Sequence, residues 1–348
     1  MKKIILLVSI LLLTGCADYV EINDLLIIGG IIIDYKDNNY VLTTELISTD
    51  KLNSTKVITT TSATIEEALS KISTMSNKDL FLSHMKVLIL TKDAIKNDKE
   101  IFDYFLRSSK SKMNFYVYII DDDLQDKIFN IKNTDTPTSL YIEKMMKFNN
   151  KIYSSSTPLS FIDLIYKKYE KGIVPIYPKL NIKKNNNEEI IYLDGLIILN
   201  NDKEIRLNDT ESIYYNILIS DVDKTIIDIP CNNEIFTLAI KNIKTKYKYN
   251  NNEFLIEVNF NSDITSYRCN YDLDSTSTIN KLNTLSNHYI KEKLTNIINK
   301  NNESDFIGIG NYIYKHNKNF KLKDNYLKDI NIKIDINNKI NSIGELRK

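Results

Sequence analysis

The sequence predicts an α+β fold of two to three domains, each a mixed or antiparallel sheet flanked by helices. The chain has 348 residues, of which 43% are hydrophobic and 26% charged, so it can bury more than one core. β-prone apolar runs alternate with segments of helical periodicity, and 8 glycines and 5 prolines argue against long disordered linkers. The predicted regions are a signal at 1–15, an N-terminal region at 16–185 and a C-terminal α+β region at 186–348.

The first sixteen residues predict a lipoprotein signal. Lys2 and Lys3 precede an apolar run at 4–13. This run is too short to cross a bilayer core, which takes about 20 residues, but it suits a signal peptide. It ends in Leu-Thr-Gly followed by Cys16, which resembles a bacterial lipobox. We therefore expect cleavage before Cys16 and a diacylglyceryl group on its thiol. The alternative is an ordinary cleaved signal with an incidental cysteine.

Charge excludes some classes of partner. The chain has 46 Lys and Arg residues against 45 Asp and Glu, and removal of Lys2 and Lys3 leaves 44 against 45, a net charge of −1. No global field would then attract nucleic acid or anionic lipid, and no nucleic-acid partner is expected. The basic run at 244–248 is predicted to be the solvated face of a strand.

The N-terminal region begins with a predicted hairpin of strands 25–34 and 40–48 around turn residues at 36–39. Thr64 and Glu67 have the spacing of a capping box, which predicts a helix from Thr64 to about residue 75. The elements expected next are a buried strand at 80–91, an amphipathic helix at 99–108, a strand at 113–121 and mainly helix over 124–171. Within that helical stretch, Thr157-Pro158 predicts a helix start and Gly172 a stop.

The C-terminal region starts beyond the polar stretch 183–189, which predicts a hairpin tip or a domain joint. Its longest helix is expected at 278–300, with Leu282, Tyr289 and Leu294 on one broad face that packs on its own sheet. Alternating isoleucines at 330–336 predict a last strand with one dry and one wet face. The other predicted elements are strands 190–199, 225–230, 234–242 and 253–261 and a short helix at 210–218.

Motifs for catalysis are missing from the sequence. His84, His288 and His316 lie far apart, and no His-x-x-x-His, Cys-x-x-Cys, Gly-x-Ser-x-Gly or phosphate-binding glycine loop is present. We predict no catalytic residue, no metal site and no cofactor, although a pair of carboxylates of the glycosidase type stays open.

Three further features have competing interpretations. Asp121-Asp122-Asp123 is predicted to be an exposed turn that caps the helix after it, with a cation site as the alternative. His84 is predicted to be a core-edge histidine bonded to backbone rather than a ligand. Cys231 and Cys269 are predicted to be two buried thiols, with a disulfide as the alternative.

Several segments together resemble one family, the C subunits of spore nutrient germinant receptors, which are GerAC-like lipoproteins. After the lipobox Cys16 come an acidic patch with Glu21, Asn23 and Asp24 and a Gly-Ile-x-Ile-Asp strand at 30–34. The family usually has Trp after the cysteine, where this chain has Ala17. Leu-Phe-Leu-Ser-His-Met-Lys-Val at 80–87 resembles the family's Leu-x-x-His-x-Lys-Val strand, and Tyr-Phe-Leu-Arg at 104–107 resembles its Phe-Leu-x-Arg helix end. The other matching segments are Asp-Gly at 194–195, the helix at 278–299, Asp-x-x-Gly-x-Gly at 305–310 and the strand at 330–336.

This resemblance implies a non-catalytic subunit, anchored by lipid on the outer face of the spore inner membrane. It also implies assembly with the integral membrane A and B subunits, which carry the germinant site, and a fold of three mixed domains. The residues expected to take part in interactions are Glu21, Asn23, Asp24, His84, Lys86 and Arg107. The alternative function is a solute-binding lipoprotein of a transporter, and the many antiparallel hairpins argue against it.

Overall fold

A computed structural model describes residues 25–48, 54–131, 136–186, 188–200, 203–273, 275–302, 304–323 and 325–342. Two sheets with flanking helices make up this part of the chain. The predicted mixed α+β architecture is therefore confirmed.

The larger sheet has nine strands in the order β3-β2-β1-β5-β6-β7-β8-β9, with β4 beside the start of β1. Strands β1, β4, β5 and β6 run parallel to one another, and the hairpins at both ends of the sheet are antiparallel. The strands are β1 (Leu25–Lys36), β2 (Asn39–Ile47), β3 (Thr55–Ser62), β4 (Asp79–Phe81), β5 (Val87–Thr91), β6 (Tyr116–Ile120), β7 (Ile176–Asn185), β8 (Glu188–Asn200) and β9 (Lys203–Leu207).

Helices cover both faces of this sheet. One face packs against Ile72 of α1, Phe102 of α3 and Phe161 of α5, and the other packs against Ile142 and Met146 of α4. All five side chains are fully buried, so the parallel strands are apolar on both sides, as such strands usually are. The helices are α1 (Ile65–Ser76), α2 (Lys92–Lys96), α3 (Asp98–Arg107), α4 (Thr138–Ile152) and α5 (Phe161–Tyr169).

The smaller sheet has four strands in the order β10-β11-β12-β13, with the last pair parallel. Its long helix buries Leu282, Leu294 and Ile297 in the core beneath the sheet, as the periodicity predicts. Ile290 is buried as well, whereas the predicted Tyr289 is only half-buried. Ile334 of β13 is buried and its neighbours are exposed, which confirms the alternation. The elements are α6 (Asp209–Leu218), β10 (Lys224–Cys231), β11 (Glu234–Asn250), β12 (Glu253–Tyr267), α7 (Thr276–Asn301), α8 (Ile309–His316) and β13 (Asn331–Ser342).

Local predictions differ from the structure in several places, and three of these differences have a local cause. The single strand predicted at 80–91 is two strands, because a turn closed by the Met85 N–H and the Leu82 carbonyl (3.0 Å) interrupts it. Strand β3 was not predicted, since its threonine-rich sequence has few apolar residues. The helix start predicted at Thr157 is wrong, because Ser160 caps α5 instead. Before α5 begins, the backbone of residues 159–161 forms hydrogen bonds with the beginning of β6.

The described residues of the polar stretch, 183–186 and 188–189, lie at the tip of the hairpin between β7 and β8, one of its two predicted roles. The predicted boundary between 185 and 186 lies at this tip and stays a prediction. The larger sheet continues beyond it to Leu207. Strands β6 and β7, all of whose residues the structure describes, pair at a single position, Ile119 with Lys179.

The prediction of two free thiols is wrong, because Cys231 and Cys269 form a disulfide. Cys231 ends β10 and Cys269 follows β12, and both strands flank the beginning of β11. The pairing brings the two Cα atoms to 5.9 Å, within the range that a disulfide needs. A separation of 38 residues in sequence hides this proximity.

Candidate functional site

The candidate site is the edge of the larger sheet at which its parallel strands begin, called here the amino edge. Four described segments form it, because strands β1, β4, β5 and β6 start there. They are the entry of the chain at Leu25, the turn at 77–78, the turn at 82–86 and the loop at 108–115. Strand β2 ends and β3 begins at the same edge, where Ile47 pairs with Thr55.

This edge gathers the three interaction residues that lie within the described ranges. His84 and Lys86 are in the turn before β5, and Arg107 ends α3 just before the loop to β6. The other residues predicted from the resemblance, Glu21, Asn23 and Asp24, lie outside the described residues, as does Cys16.

His84 is exposed, so its prediction as a core-edge histidine is wrong. The break between β4 and β5 turns its side chain outward, and its ring packs at a tilt on Phe81 with 5.2 Å between centroids. An imidazole in this position is accessible to a partner.

Lys86, the residue before β5, bridges strands β1 and β6 through its backbone. Its N–H donates to the Gly29 carbonyl (2.8 Å), and its carbonyl accepts from the Tyr116 N–H (2.9 Å). Its Nζ lies 3.9 Å from a carboxylate oxygen of Glu143 on α4. The Lys86 backbone therefore has a structural role at this edge, whatever its side chain contacts.

Arg107 is exposed on the last turn of α3. Its Nε donates to Asp103 one turn earlier (2.7 Å), and this hydrogen bond raises the pKa of the guanidinium. Arg107, Glu66, Glu100 and Tyr104 line an open groove of about 410 Å³. The groove carries both acidic and basic side chains. Its ion pair between Arg107 and Asp103 is exposed, so it contributes little to the stability of the fold.

Four further lysines, which no sequence motif marks, lie at the amino edge. Lys56, Lys110 and Lys112 are exposed and Lys78 is half-buried. None of them forms an ion pair with a residue that the structure describes. They are spread over 57 positions of the sequence, and only the parallel pairing of the strands brings them together.

A buried carboxylate supports the amino edge from inside. The two oxygens of Glu45 on β2 accept the N–H groups of Thr138 (2.7 Å) and Ser139 (2.8 Å) at the start of α4. Burial raises the pKa of Glu45, against the effect of these hydrogen bonds. A Cβ at Gly29 would lie 2.4 Å from the Ser139 hydroxyl, so glycine is needed for α4 to approach β1.

The aspartates at 121–123 are only partly as predicted. Asp122 begins a 3₁₀ helix, but Asp121 makes no capping bond through its side chain. Instead Asp121 lies 2.7 Å from the Nζ of Lys179 and 3.3 Å from that of Lys92. This ion cluster, completed by Asp194, Glu204 and Arg206, lies where β5 and β6 end, at the edge opposite the candidate site.

Among the described residues, no group of three or more His, Cys, Asp or Glu side chains could hold a metal ion. Within the same residues, no helix combines the length and apolar character that a bilayer crossing requires.

Two family models match the chain consecutively. The model described as spore germination protein N-terminal domain matches residues 18–182. The model described as spore germination B3/GerAC like, C-terminal, matches residues 194–344. Together they cover most of the sequence.

The chain belongs to the GerAC-like spore germination family. Among its relatives in Bacillus subtilis (strain 168), spore germination protein KC is 22% identical over 351 residues, which cover 90% of this chain and 86% of the relative. Spore germination protein A3 is 22% identical over 267 residues, which cover 72% of this chain and 69% of the relative.

The GerAC-like fold is also seen in a solved structure. The crystal structure of the GerBC protein matches 90% of this chain and 97% of its own, with a TM-score of 0.54 and 17% identity. At this identity the match shows the fold alone. None of these comparisons supports the alternative of a transporter's solute-binding lipoprotein.

Proposed function

We propose that this protein is a non-catalytic lipoprotein subunit of a spore nutrient germinant receptor. It assembles with the integral membrane A and B subunits and supports assembly or signalling of the complex that triggers germination. The observation that carries the proposal is the match of two GerAC-like family models, in order, to residues 18–182 and 194–344.

Lipid attachment at Cys16 is part of this proposal and places the protein on the outer face of the spore inner membrane. Two acyl chains hold a protein far more firmly than one, since each buried methylene contributes about 0.8 kcal/mol. The disulfide between Cys231 and Cys269 supports a location outside the cytosol, because such bonds persist mainly in oxidising compartments.

A non-catalytic role is supported by the surroundings of three carboxylates, of which Glu45 and Asp305 are buried and Asp121 is about a third exposed. Glu45 binds the first N–H groups of α4, and Asp121 pairs with Lys179. Asp305 accepts the backbone N–H groups of Gly308, Ile309 and Gly310. Their hydrogen-bonding capacity is used in holding elements together, which favours assembly over chemistry.

The Cys16→Ala substitution tests the anchor. Without a thiol to acylate, we expect the protein to disappear from the spore inner-membrane fraction. Nutrient-triggered germination should fall to the level of a deletion strain. Immunoblots of fractionated spores and the loss of optical density after nutrient addition measure the two effects. Ala17→Ser, one residue away, is the matched control and should behave as the natural protein. Normal germination by a membrane-bound Cys16→Ala protein would contradict the proposal.

Assembly is tested by crosslinking and co-purification from spore inner membrane. We expect two polytopic proteins to accompany this chain. Recovery of the chain without any polytopic protein, under conditions that preserve other membrane complexes, would contradict the receptor role.

A further inference from the structure

We propose that the amino edge rests directly on anionic phospholipid headgroups, so that the protein has an electrostatic contact with the membrane in addition to its acyl chains. The inference rests on the proposed attachment at Cys16. It adds which side of the protein faces the membrane and what that side binds.

The reach of the chain from its anchor limits the orientation. Leu25, the first residue of β1, is nine positions after Cys16. A fully extended chain covers at most about 3.6 Å per residue, or about 32 Å for this distance. The chain enters the body at the amino edge, so this edge is the part of the larger sheet that the anchor holds nearest to the bilayer.

The charge of this edge is opposite to that of an anionic membrane. Lys56, Lys78, Lys110 and Lys112 lack ion-pair partners within the described ranges, and Asp79 is the exposed acid among them. The positive groups of Lys86 and Arg107 are by contrast paired with Glu143 and Asp103. Because the whole chain is nearly neutral, this surplus is local to the described edge. The acids Glu21 and Asp24, between the anchor and Leu25, and Asp103, in the groove that Lys110 borders, offset part of it. Each basic residue near an anionic surface strengthens the contact several-fold.

Two exposed apolar side chains lie at the ends of helices that lead to the same edge. Met75 is 66% exposed on the last turn of α1, and Leu106 is 45% exposed on the last turn of α3. Both helices end just before strands that start at the amino edge. Apolar groups beside lysines are typical of surfaces that enter the headgroup region.

Site-specific quenching on vesicles tests the orientation. The lipidated full chain carrying Lys110→Cys is labelled with a fluorophore. Because Cys16 is acylated and Cys231 and Cys269 form a disulfide, the fluorophore reacts with the introduced thiol. The vesicles contain phosphatidylcholine with about 30% phosphatidylglycerol and a lipid with a nitroxide on its headgroup. The reference position is Lys318→Cys, in the exposed segment after α8. We expect quenching at least about threefold stronger at position 110 than at 318.

Charge reversal tests the cause. Lys78→Glu combined with Lys112→Glu should remove more than half of the difference in quenching between positions 110 and 318. Salt at 0.5 M should do the same, because salt screens exposed charges. Vesicles of phosphatidylcholine alone should also do so, because they carry no net charge. The milder pair Lys78→Gln with Lys112→Gln should have a smaller effect in the same direction. The matched control is Lys244→Glu with Lys246→Glu, at two exposed lysines of β11. It should leave the difference in quenching between positions 110 and 318 unchanged.

Flotation of the vesicles separates this inference from the proposed anchor. Protein that floats but is quenched equally at both positions, or whose quenching ignores charge reversal and phosphatidylglycerol, overturns the orientation and leaves the anchor intact. Protein that does not float with either kind of vesicle overturns the anchor, and this inference with it.

Discussion

At the scale of single residues, Asp121 lies at the centre of an ion cluster with Lys92, Lys179 and Arg206. Lys179, whose side chain is 3% exposed, depends on Asp121 at 2.7 Å and on Asp194 at 3.5 Å. Burial disfavours the charged form of Asp121, but hydrogen bonds from Lys179 and Lys92 outweigh it, and the pKa of Asp121 is lowered. Ionised Asp121 therefore stabilises the folded protein.

Replacing Asp121 with Asn should destabilise the protein at neutral pH, because Lys179 keeps its charge and loses its nearer partner. We expect a loss of about 1–2 kcal/mol in the free energy of unfolding, discounted from a fully buried pair since Asp121 is about a third exposed. Because the pKa of Asp121 is lower in the folded than in the unfolded protein, its stabilising effect is complete at pH values above the unfolded-state pKa of about 3.9. The effect is lost as the pH falls through the folded-state pKa.

Urea unfolding at pH 7 and at pH 3 measures this difference, which should shrink at the lower pH. Asp123→Asn, at an exposed aspartate of the same sequence motif, is the control and should change the free energy of unfolding by less than about 0.5 kcal/mol. A variant effect that is equally large at both pH values would contradict the role given to the Asp121 charge.

At the scale of secondary-structure elements, Asp305 connects the end of α7 with α8. Its Oδ1 accepts the N–H groups of Gly308 (2.8 Å) and Ile309 (3.0 Å), and its Oδ2 accepts that of Gly310 (2.6 Å) and the Tyr326 hydroxyl (2.6 Å). Gly308 has a φ of +85°, which glycine adopts without strain. A Cβ at Gly310 would lie 2.3 Å from the Tyr326 oxygen. These contacts explain the spacing Asp-x-x-Gly-x-Gly.

Asp305→Asn should therefore weaken the junction between α7 and α8. The amide keeps one acceptor oxygen and replaces the other with a donor, which leaves buried donors facing it without a partner. We expect a loss of about 2–3 kcal/mol in the free energy of unfolding. Chemical denaturation followed by circular dichroism measures it. Asp329→Asn, at an exposed aspartate nearby, is the control; equal stability of both variants would show that Asp305 is not needed.

Elements with regular local patterns could be predicted from the sequence, and contacts between distant segments could not. The hairpin of β1 and β2 and the helix α7 follow from turn residues and periodicity within a few residues of chain. The disulfide, the lysines of the amino edge and the partners of Asp121 depend on which strands are neighbours. The exposure of His84 depends on a turn hidden inside an apolar run. Local pattern carries no information about these.

At the scale of the whole molecule, the disulfide fastens one end of the four-stranded sheet. Cys231 and Cys269 are both nearly fully buried and close a loop that contains all of β11 and β12. Such a link stabilises mainly by restricting the unfolded chain, and longer loops gain more.

Replacing both cysteines with alanine should lower the free energy of unfolding by about 3–4 kcal/mol, the value typical of a loop of this length. Guanidinium unfolding of the oxidised natural protein and of the double variant measures the loss. Addition of a reductant should destabilise the natural protein by a similar amount and leave the variant unchanged. If reductant lowers the stability of both proteins equally, the disulfide is not the cause.

The single pairing of Ile119 with Lys179 has a consequence for what joins the two parts of the larger sheet. Leu180, Ile191 and Leu193 of the β7–β8 hairpin share a core with β5, β6 and α4, and Tyr177 and Ile197 share the core on the other face. Side-chain packing on both faces, rather than the hydrogen-bond ladder, therefore connects the hairpin to the parallel strands. A substitution in either core should be felt on both sides of this junction.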